Sequence, residues 1–352
     1  MKEENKKAVV ILTDFRSYQY YQIAEEIRRV LVQQSVQNSV LHWWDVKTNI
    51  KNVVFVGSVL KQCCDYFWRF DDSTNIIFYG VCEGTPILSN VEKLVFKRKN
   101  IKVIVPSEFV KERLEELDIN VEEVIPHAIN MNDSSINQEF ENKLKHYFLN
   151  DKPFRLLLNV SDNNARKGLS NLLVAYKVLE KIFPDLFLIL HAQAGIGFGG
   201  INIQKYMQIL QIKRIWWTQM AGTLSLQKMN TLYKNAYLYP CSSFSEGFCL
   251  PLIEAYRFNV PIVAVDAKPF NEIVKNKETG LLIPFDHIEK FEIKHLMNAF
   301  MHVYDVDDFI DACTVLLFDN KLHEKMKNNI EKIKWNYHSD FVYQKFIKYL
   351  ED

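Results

Sequence analysis

An α/β protein built from two doubly wound halves is what this sequence predicts, and three observations predict it. Short apolar runs alternate with amphipathic stretches along most of the chain. That is the pattern of a parallel sheet with helices connecting its strands. A polar segment, residues 130–152, divides the alternation into two series. Within the second series, residues 237–265 read in order as strand end, tight loop, short helix and buried strand, the unit from which such sheets are made.

The elements follow in chain order. Residues 8–12 form a first strand, and 18–33 a helix with Ile23, Ile27, Val30 and Leu31 on one face. Residues 53–56, 76–79 and 101–105 are apolar and β-prone and read as central strands. Ser107 is placed to cap a helix over 108–117. In the second series, strands are expected at 154–160, 186–191 and 214–218, and helices at 168–182, 203–210 and 224–233. Tyr237, Leu238 and Tyr239 lead to Pro240 and a serine-rich loop, and 260–265 is a buried strand. Helices are expected to fill most of the chain from about residue 291. The division is 1–150 and 151–334, with 335–352 an aromatic, amphipathic closing helix that packs on its own domain or crosses back to the first.

Composition narrows the function. The chain has 352 residues, 48% of them hydrophobic, with 43 basic and 43 acidic side chains. Zero net charge argues against a broad electrostatic grip on nucleic acid. No apolar run approaches the roughly 20 residues needed to cross a bilayer. The polar start leads into a strand and not into a signal peptide. The six cysteines have no CxxC spacing, so reduced, packed thiols in the cytoplasm are expected, without a metal site. Trp43, Trp44, Trp68, Trp216, Trp217 and the run 97–99 suit either an aromatic core with a solvated face or a peripheral membrane contact.

The loop at 240–250 carries chemistry. Gly247 admits backbone conformations closed to other residues. The N–H groups of Gly247, Phe248, Cys249 and Leu250 stand at a helix start, where a phosphate is favoured. Glu246 lies just outside that end and Glu254 about two turns in. A carboxylate there repels phosphate but accepts hydrogen bonds from hydroxyls, and a sugar joined to a diphosphate offers both groups. Arg166 and Lys167, in the Asn163–Gly168 segment after a central strand, place two cations beside another helix start, where they can neutralise a diphosphate.

These residues resemble a known family. Glu246-Gly-Phe-Cys-Leu-Pro-Leu-Ile-Glu254, followed by Val260-Pro-Ile-Val-Ala, is similar to the Glu-x7-Glu motif of the retaining GT-B glycosyltransferases of family 4. Arg166-Lys-Gly168 resembles the family's phosphate-contacting segment. The resemblance implies two facing Rossmann-like domains with a ligand cleft at the carboxyl ends of their strands. It implies that Glu246 touches the donor sugar, Glu254 the ribose and Lys167 the phosphates. It implies a UDP- or GDP-sugar donor, a carbohydrate, lipid-linked or protein acceptor, and neither metal nor other cofactor. Met220-Ala-Gly222 is similar to the turn that holds the nucleotide base. Ile125-Pro-His127 resembles the segment ending the first domain, where a histidine is structural or lines the cleft. Glu83, Asp14 and Arg16 are the further acceptor-side candidates.

Two departures stand out. Asp162 occupies a position where many relatives carry an arginine, and the first loop, 13–18, lacks glycine. They leave open a catalytically weak nucleotide-sugar-binding or assembly protein on the same fold. A dehydrogenase is the third class, but its G-x-G-x-x-G fingerprint is absent after the first strand. The run Gly195-Ile-Gly-Phe-Gly-Gly200 lies far from a convincing helix start.

Overall fold

Apolar, β-branched runs set the frame of the computed structural model of this chain, which describes residues 8–14, 17–34, 36–42, 50–59, 61–148, 154–218 and 224–350. The chain divides into two compact units. One takes Met1–Met131, Lys290–Ala299 and Asn336–Asp352; the other takes Asn132–Glu289 and Phe300–Trp335. Among the described residues, no helix is long and apolar enough to cross a membrane.

The first unit holds β1 (Ala8–Thr13), β2 (Gln37–His42), β3 (Asn52–Ser58), β4 (Asn75–Val81), β5 (Gly84–Pro86), β6 (Ile101–Val105) and β7 (Glu123–Val124). Its main sheet runs β2-β1-β3-β4-β6-β7, parallel throughout. β3 and β4 are buried over six of seven positions, as a strand covered on both faces must be. Phe55, Phe67, Phe78 and Phe96 meet edge-on and stacked in the core beside them. The helix Tyr18–Gln33 packs Ile23, Ile27, Val30 and Leu31 inward. The helix Glu108–Glu115 starts where Ser107 accepts the Val110 N–H.

Sequence patterning does not reveal β2. Its residues, Gln-Asn-Ser-Val-Leu-His, are mostly polar, and none of them is fully buried. Register with β1, from Gln37 opposite Ala8 to His42 opposite Thr13, makes it an edge strand.

The chain's last segment belongs to this unit. Tyr343, fully buried, accepts the Ala128 N–H at 2.9 Å and donates to the Ala128 carbonyl at 3.1 Å. Arg29 pairs with Asp340 at 2.6 Å, and Asn75 donates to the Tyr349 carbonyl at 2.8 Å. Phe346 packs edge-on against Tyr79.

The second unit contains β8 (Arg155–Ser161), β9 (Leu186–Ala192), β10 (Ile215–Trp217), β11 (Ala236–Pro240), β12 (Ile262–Val265) and β13 (Gly280–Ile283) in the parallel order β10-β9-β8-β11-β12-β13. The helix Leu169–Ile182 buries Leu172, Leu173, Tyr176 and Leu179 on one stripe. Arg155 holds Asp185 in two hydrogen bonds, 2.6 and 2.7 Å, at the start of β9.

One expectation is corrected. The residues after 286 begin with β14 (His287–Ile293) and β15 (Met297–Val303), and helices resume only at Val306. β15 alternates inward and outward over its first five residues, a period of two that no helix shares. Met297–Ala299 pairs antiparallel with β5.

Tyr343→Phe deletes both hydrogen bonds to Ala128 without changing shape. It is expected to lower the unfolding free energy by about 1–3 kcal/mol, read as a shifted midpoint in urea; an unchanged midpoint would show that these bonds contribute nothing.

Candidate functional site

β8 and β11 are neighbours in one parallel sheet, so the loops leaving their carboxyl ends emerge side by side. That edge is where such sheets place ligands. Asn159 ties the two strands by donating to the Pro240 carbonyl at 2.8 Å.

The β8 loop makes one 3-10 turn, Ala165–Lys167, before the helix Leu169–Ile182. Gly168 joins them in a left-handed conformation, φ 59°. A Cβ there would strike the Ser242 carbonyl, so the position requires glycine on two counts. The loop after β11 is bonded to this turn. Ser242 Oγ donates to the Lys167 carbonyl at 2.8 Å, and the Phe244 N–H donates to the Arg166 carbonyl at 2.7 Å. Tyr304 fixes the same loop by donating to the Ser242 carbonyl at 2.9 Å.

This joining brings three charges together. Lys167 Nζ donates to Glu246 Oε1 at 2.5 Å, and Arg166 Nη1 donates to Glu246 Oε2 at 2.7 Å and to the Ser245 carbonyl at 3.1 Å. Glu246 is 6% exposed. Burial pushes its carboxyl up, but the charges and hydrogen bonds of Lys167 and Arg166 outweigh burial and hold it down to about 2. It is an anion at any ordinary pH and has no proton to give. The sequence reading placed the cations on the phosphates and Glu246 on the sugar; in the folded chain the three side chains form one cluster of net charge +1. Lys167 carries three donors, and among the described residues Glu246 is its single side-chain partner.

The helix Leu250–Arg257 begins just beyond, with Pro251 in its first turn and Cys249 as its N-cap in a left-handed conformation, φ 74°. Gly247, Phe248 and Cys249 are buried, so the side chains of Phe248 and Cys249 pack inward. Cys241 and Cys249 Sγ lie 4.0 Å apart as free thiols, and burial raises Cys249 well above the ordinary thiol range. Glu254, half-buried, accepts from Tyr233 Oη at 2.6 Å through Oε2. Burial raises its carboxyl. Among the described residues Oε1 has no protein donor, which suits a carboxylate that takes a hydroxyl from outside.

The remaining predicted residues lie elsewhere. Asp14, Glu83 and His127 belong to the first unit. Asp14 directly follows β1, its Oδ1 3.4 Å from His42 Nε2. Glu83 is half-buried in the turn between β4 and β5. His127 is buried, with Nδ1 2.8 Å from Tyr79 Oη, and burial lowers its imidazole to about 3. Tyr79 gives its proton to the Ile125 carbonyl, so His127 is the donor of that pair, a neutral structural imidazole. Arg16, Met220 and Gly222 lie outside the described residues, as do Trp43 and Trp44. Asp162 is half-buried in the loop that carries the cations.

Sequence reasoning missed Tyr233 and Ser242. Ser242 stood in a serine cluster readable only as a loop, and a tyrosine on a preceding helix carries no local sign that it reaches Glu254.

Three comparisons bear on this arrangement. Residues 140–299 match the model of the family Glycosyl transferases group 1. Uncharacterized glycosyltransferase 335 of Sulfolobus islandicus rod-shaped virus 1 is 22% identical over 287 residues, 80% of this chain and 81% of the viral one. Among solved structures, HepE of Anabaena in complex with UDP superposes with a TM-score of 0.71 at 13% identity, over 97% of this chain and 98% of that one. Sucrose-phosphate synthase of Thermosynechococcus elongatus gives a TM-score of 0.74 at 14% identity with the same coverage. The chain therefore has the GT-B fold, and its residues 140–299 match the model of the group 1 glycosyl transferases.

Proposed function

We propose that this protein is a retaining glycosyltransferase that moves a sugar from a nucleoside-diphosphate sugar to a hydroxyl acceptor on a carbohydrate, lipid or protein. The observation that carries the proposal is the Lys167–Glu246–Arg166 cluster beside a helix start. A diphosphate brings more negative charge than this cluster's net +1 and is drawn to Lys167 and Arg166. Glu246, permanently ionised, accepts the donor sugar's hydroxyls and stabilises positive charge developing at its anomeric carbon. Glu254 accepts the ribose hydroxyls through Oε1.

The reaction runs on one face of the sugar. The bond from the anomeric carbon to the diphosphate oxygen breaks against the two cations, and the acceptor oxygen bonds to the same carbon from the same side. The departing phosphate oxygen takes the acceptor's proton, so no side chain has to act as a base. Uridine is the base tested first, because HepE, similar in fold, is seen in complex with UDP. Cationic side chains, and not a metal ion, neutralise the leaving group in this reading.

A second reading, donor binding without turnover, rests on Asp162, a negative charge in the cation loop where many relatives have a positive one. Donor turnover that disappears in Lys167→Ala excludes it.

Thermal shift with UDP, GDP and ADP is expected to give stabilisation by one of the three; stabilisation by none removes the donor reading. In Glu246→Gln the cluster gains a positive charge, so nucleotide binding is expected to persist or tighten while transfer falls roughly 100-fold. Turnover equal to wild type would take Glu246 out of the reaction. EDTA is expected to leave transfer unchanged, and a loss restored by a divalent cation contradicts the side-chain neutralisation.

The pH dependence has a definite sign. The Glu246 carboxyl is lowered in the folded chain from an ordinary 4.5 to about 2. Its stabilisation is present above the unfolded value and is lost as pH falls through that interval. Melting temperature measured across it is expected to drop less in Glu246→Gln than in wild type. Transfer between about pH 5 and 8 is expected to carry no limb from Glu246.

A further inference from the structure

The turn that carries both cations is three residues long, Ala165–Lys167, too short to hold its own geometry. The loop after β11 grips it from one side through Ser242 and Phe244. A second grip comes from the loop after β9. Asn163 Nδ2 donates to the Ile201 carbonyl at 2.8 Å, and the Ile201 N–H donates back to Asn163 Oδ1 at 3.0 Å. The Gly197 N–H donates to the Asn163 carbonyl at 2.8 Å, and the Ala165 N–H donates to the Phe198 carbonyl at 2.8 Å. Asn163 is 3% exposed, and its carboxamide is spent on this one contact.

The glycines make the approach possible. A Cβ on Gly200 would collide with the Asn163 carbonyl and come within 2.8 Å of its Oδ1. A Cβ on Gly197 would lie 2.8 Å from the Asn163 carbonyl, whereas one on Gly195 would meet nothing within 4 Å. A chain with only 11 glycines keeps four of them in residues 195–200, and two of those sit where the backbones touch.

We infer that Asn163 and the glycine loop 195–200 are a positioning device for the donor site: they set the turn so that Lys167 and Arg166 meet both Glu246 and the donor's diphosphate. The inference rests on the donor reading above. Asn163 touches neither Lys167 nor Glu246 through its side chain; it acts through the backbone of the turn. A displacement of about 1 Å in such a group is enough to cost on the order of 100-fold in a reaction.

The experiment measures Kd for UDP, GDP and ADP by calorimetry on the full chain, with melting temperature recorded for each variant. Well below each variant's melting temperature nearly every molecule is folded, so Kd measured there separates positioning from simple destabilisation. Asn163→Ala and Gly200→Ala are expected to weaken the nucleotide that wild type binds by about tenfold or more. Gly195→Ala should stay within about twofold. Gly197→Ala, whose clash involves a single carbonyl oxygen, is the milder variant should the other two fail to fold, and it is expected to weaken binding by about threefold or more. Wild-type Kd in the folded Asn163 and Gly200 variants, or in Gly197→Ala if they do not fold, overturns the inference and leaves the donor reading standing. Wild type that binds none of the three nucleotides removes the donor reading, and this inference with it.

Discussion

A carboxylate held between two cations, almost out of water, is the constraint on which the second unit's site depends. Burying Glu246 alone would cost several kcal/mol, and the residue is 6% exposed. Lys167 and Arg166 offset that cost together, at 2.5 and 2.7 Å. Each comes from the β8 loop, and Glu246 comes from the β11 loop, so the two strands have to be neighbours for the cluster to exist. The left-handed Gly168, the Ser242 hydroxyl on the Lys167 carbonyl and the Asn159 carboxamide on the Pro240 carbonyl all serve that neighbourhood.

The same cluster divides the chemical labour. An acid held down to about 2 cannot shuttle protons at ordinary pH, so in the proposed reaction its work is electrostatic. Glu254, eight residues on, is the opposite case. Burial raises its carboxyl, and Tyr233 holds one oxygen. Two glutamates of one motif thus sit in different environments, one between two cations and one further along the helix beside Tyr233.

The first unit is held by different physics. Its sheet is closed by the chain's own last segment, with Tyr343 satisfying both backbone groups of Ala128 and Phe346 covering Tyr79. His127 belongs to this packed layer: its ring is neutral and its donor is used inside the unit. Tyr79, His127 and Tyr343 are paired with one another or with backbone carbonyls, whereas Thr13 Oγ1 and Asn75 Oδ1 are buried without a protein partner among the described residues.

Hydrophobic period and a few local signals were enough to read most central strands and helices, because β3, β4, β6, β8 and β9 are dominated by apolar residues and the helix Tyr18–Gln33 has a clean apolar stripe. Glu246, Glu254, Arg166 and Lys167 were also legible, since their spacing and flanking glycines are local. β2 and the β14–β15 hairpin were not, because an exposed edge strand and a strand with little buried surface owe their form to partners distant in sequence. Nor was the charge cluster itself: only the sheet order puts residue 246 against residues 166 and 167, and only the backbone approach of Gly197 and Gly200 to Asn163 explains where the glycines went. Local sequence sets which residues can do chemistry; which of them share a charge is decided by strand neighbours, a long-range choice made by burial.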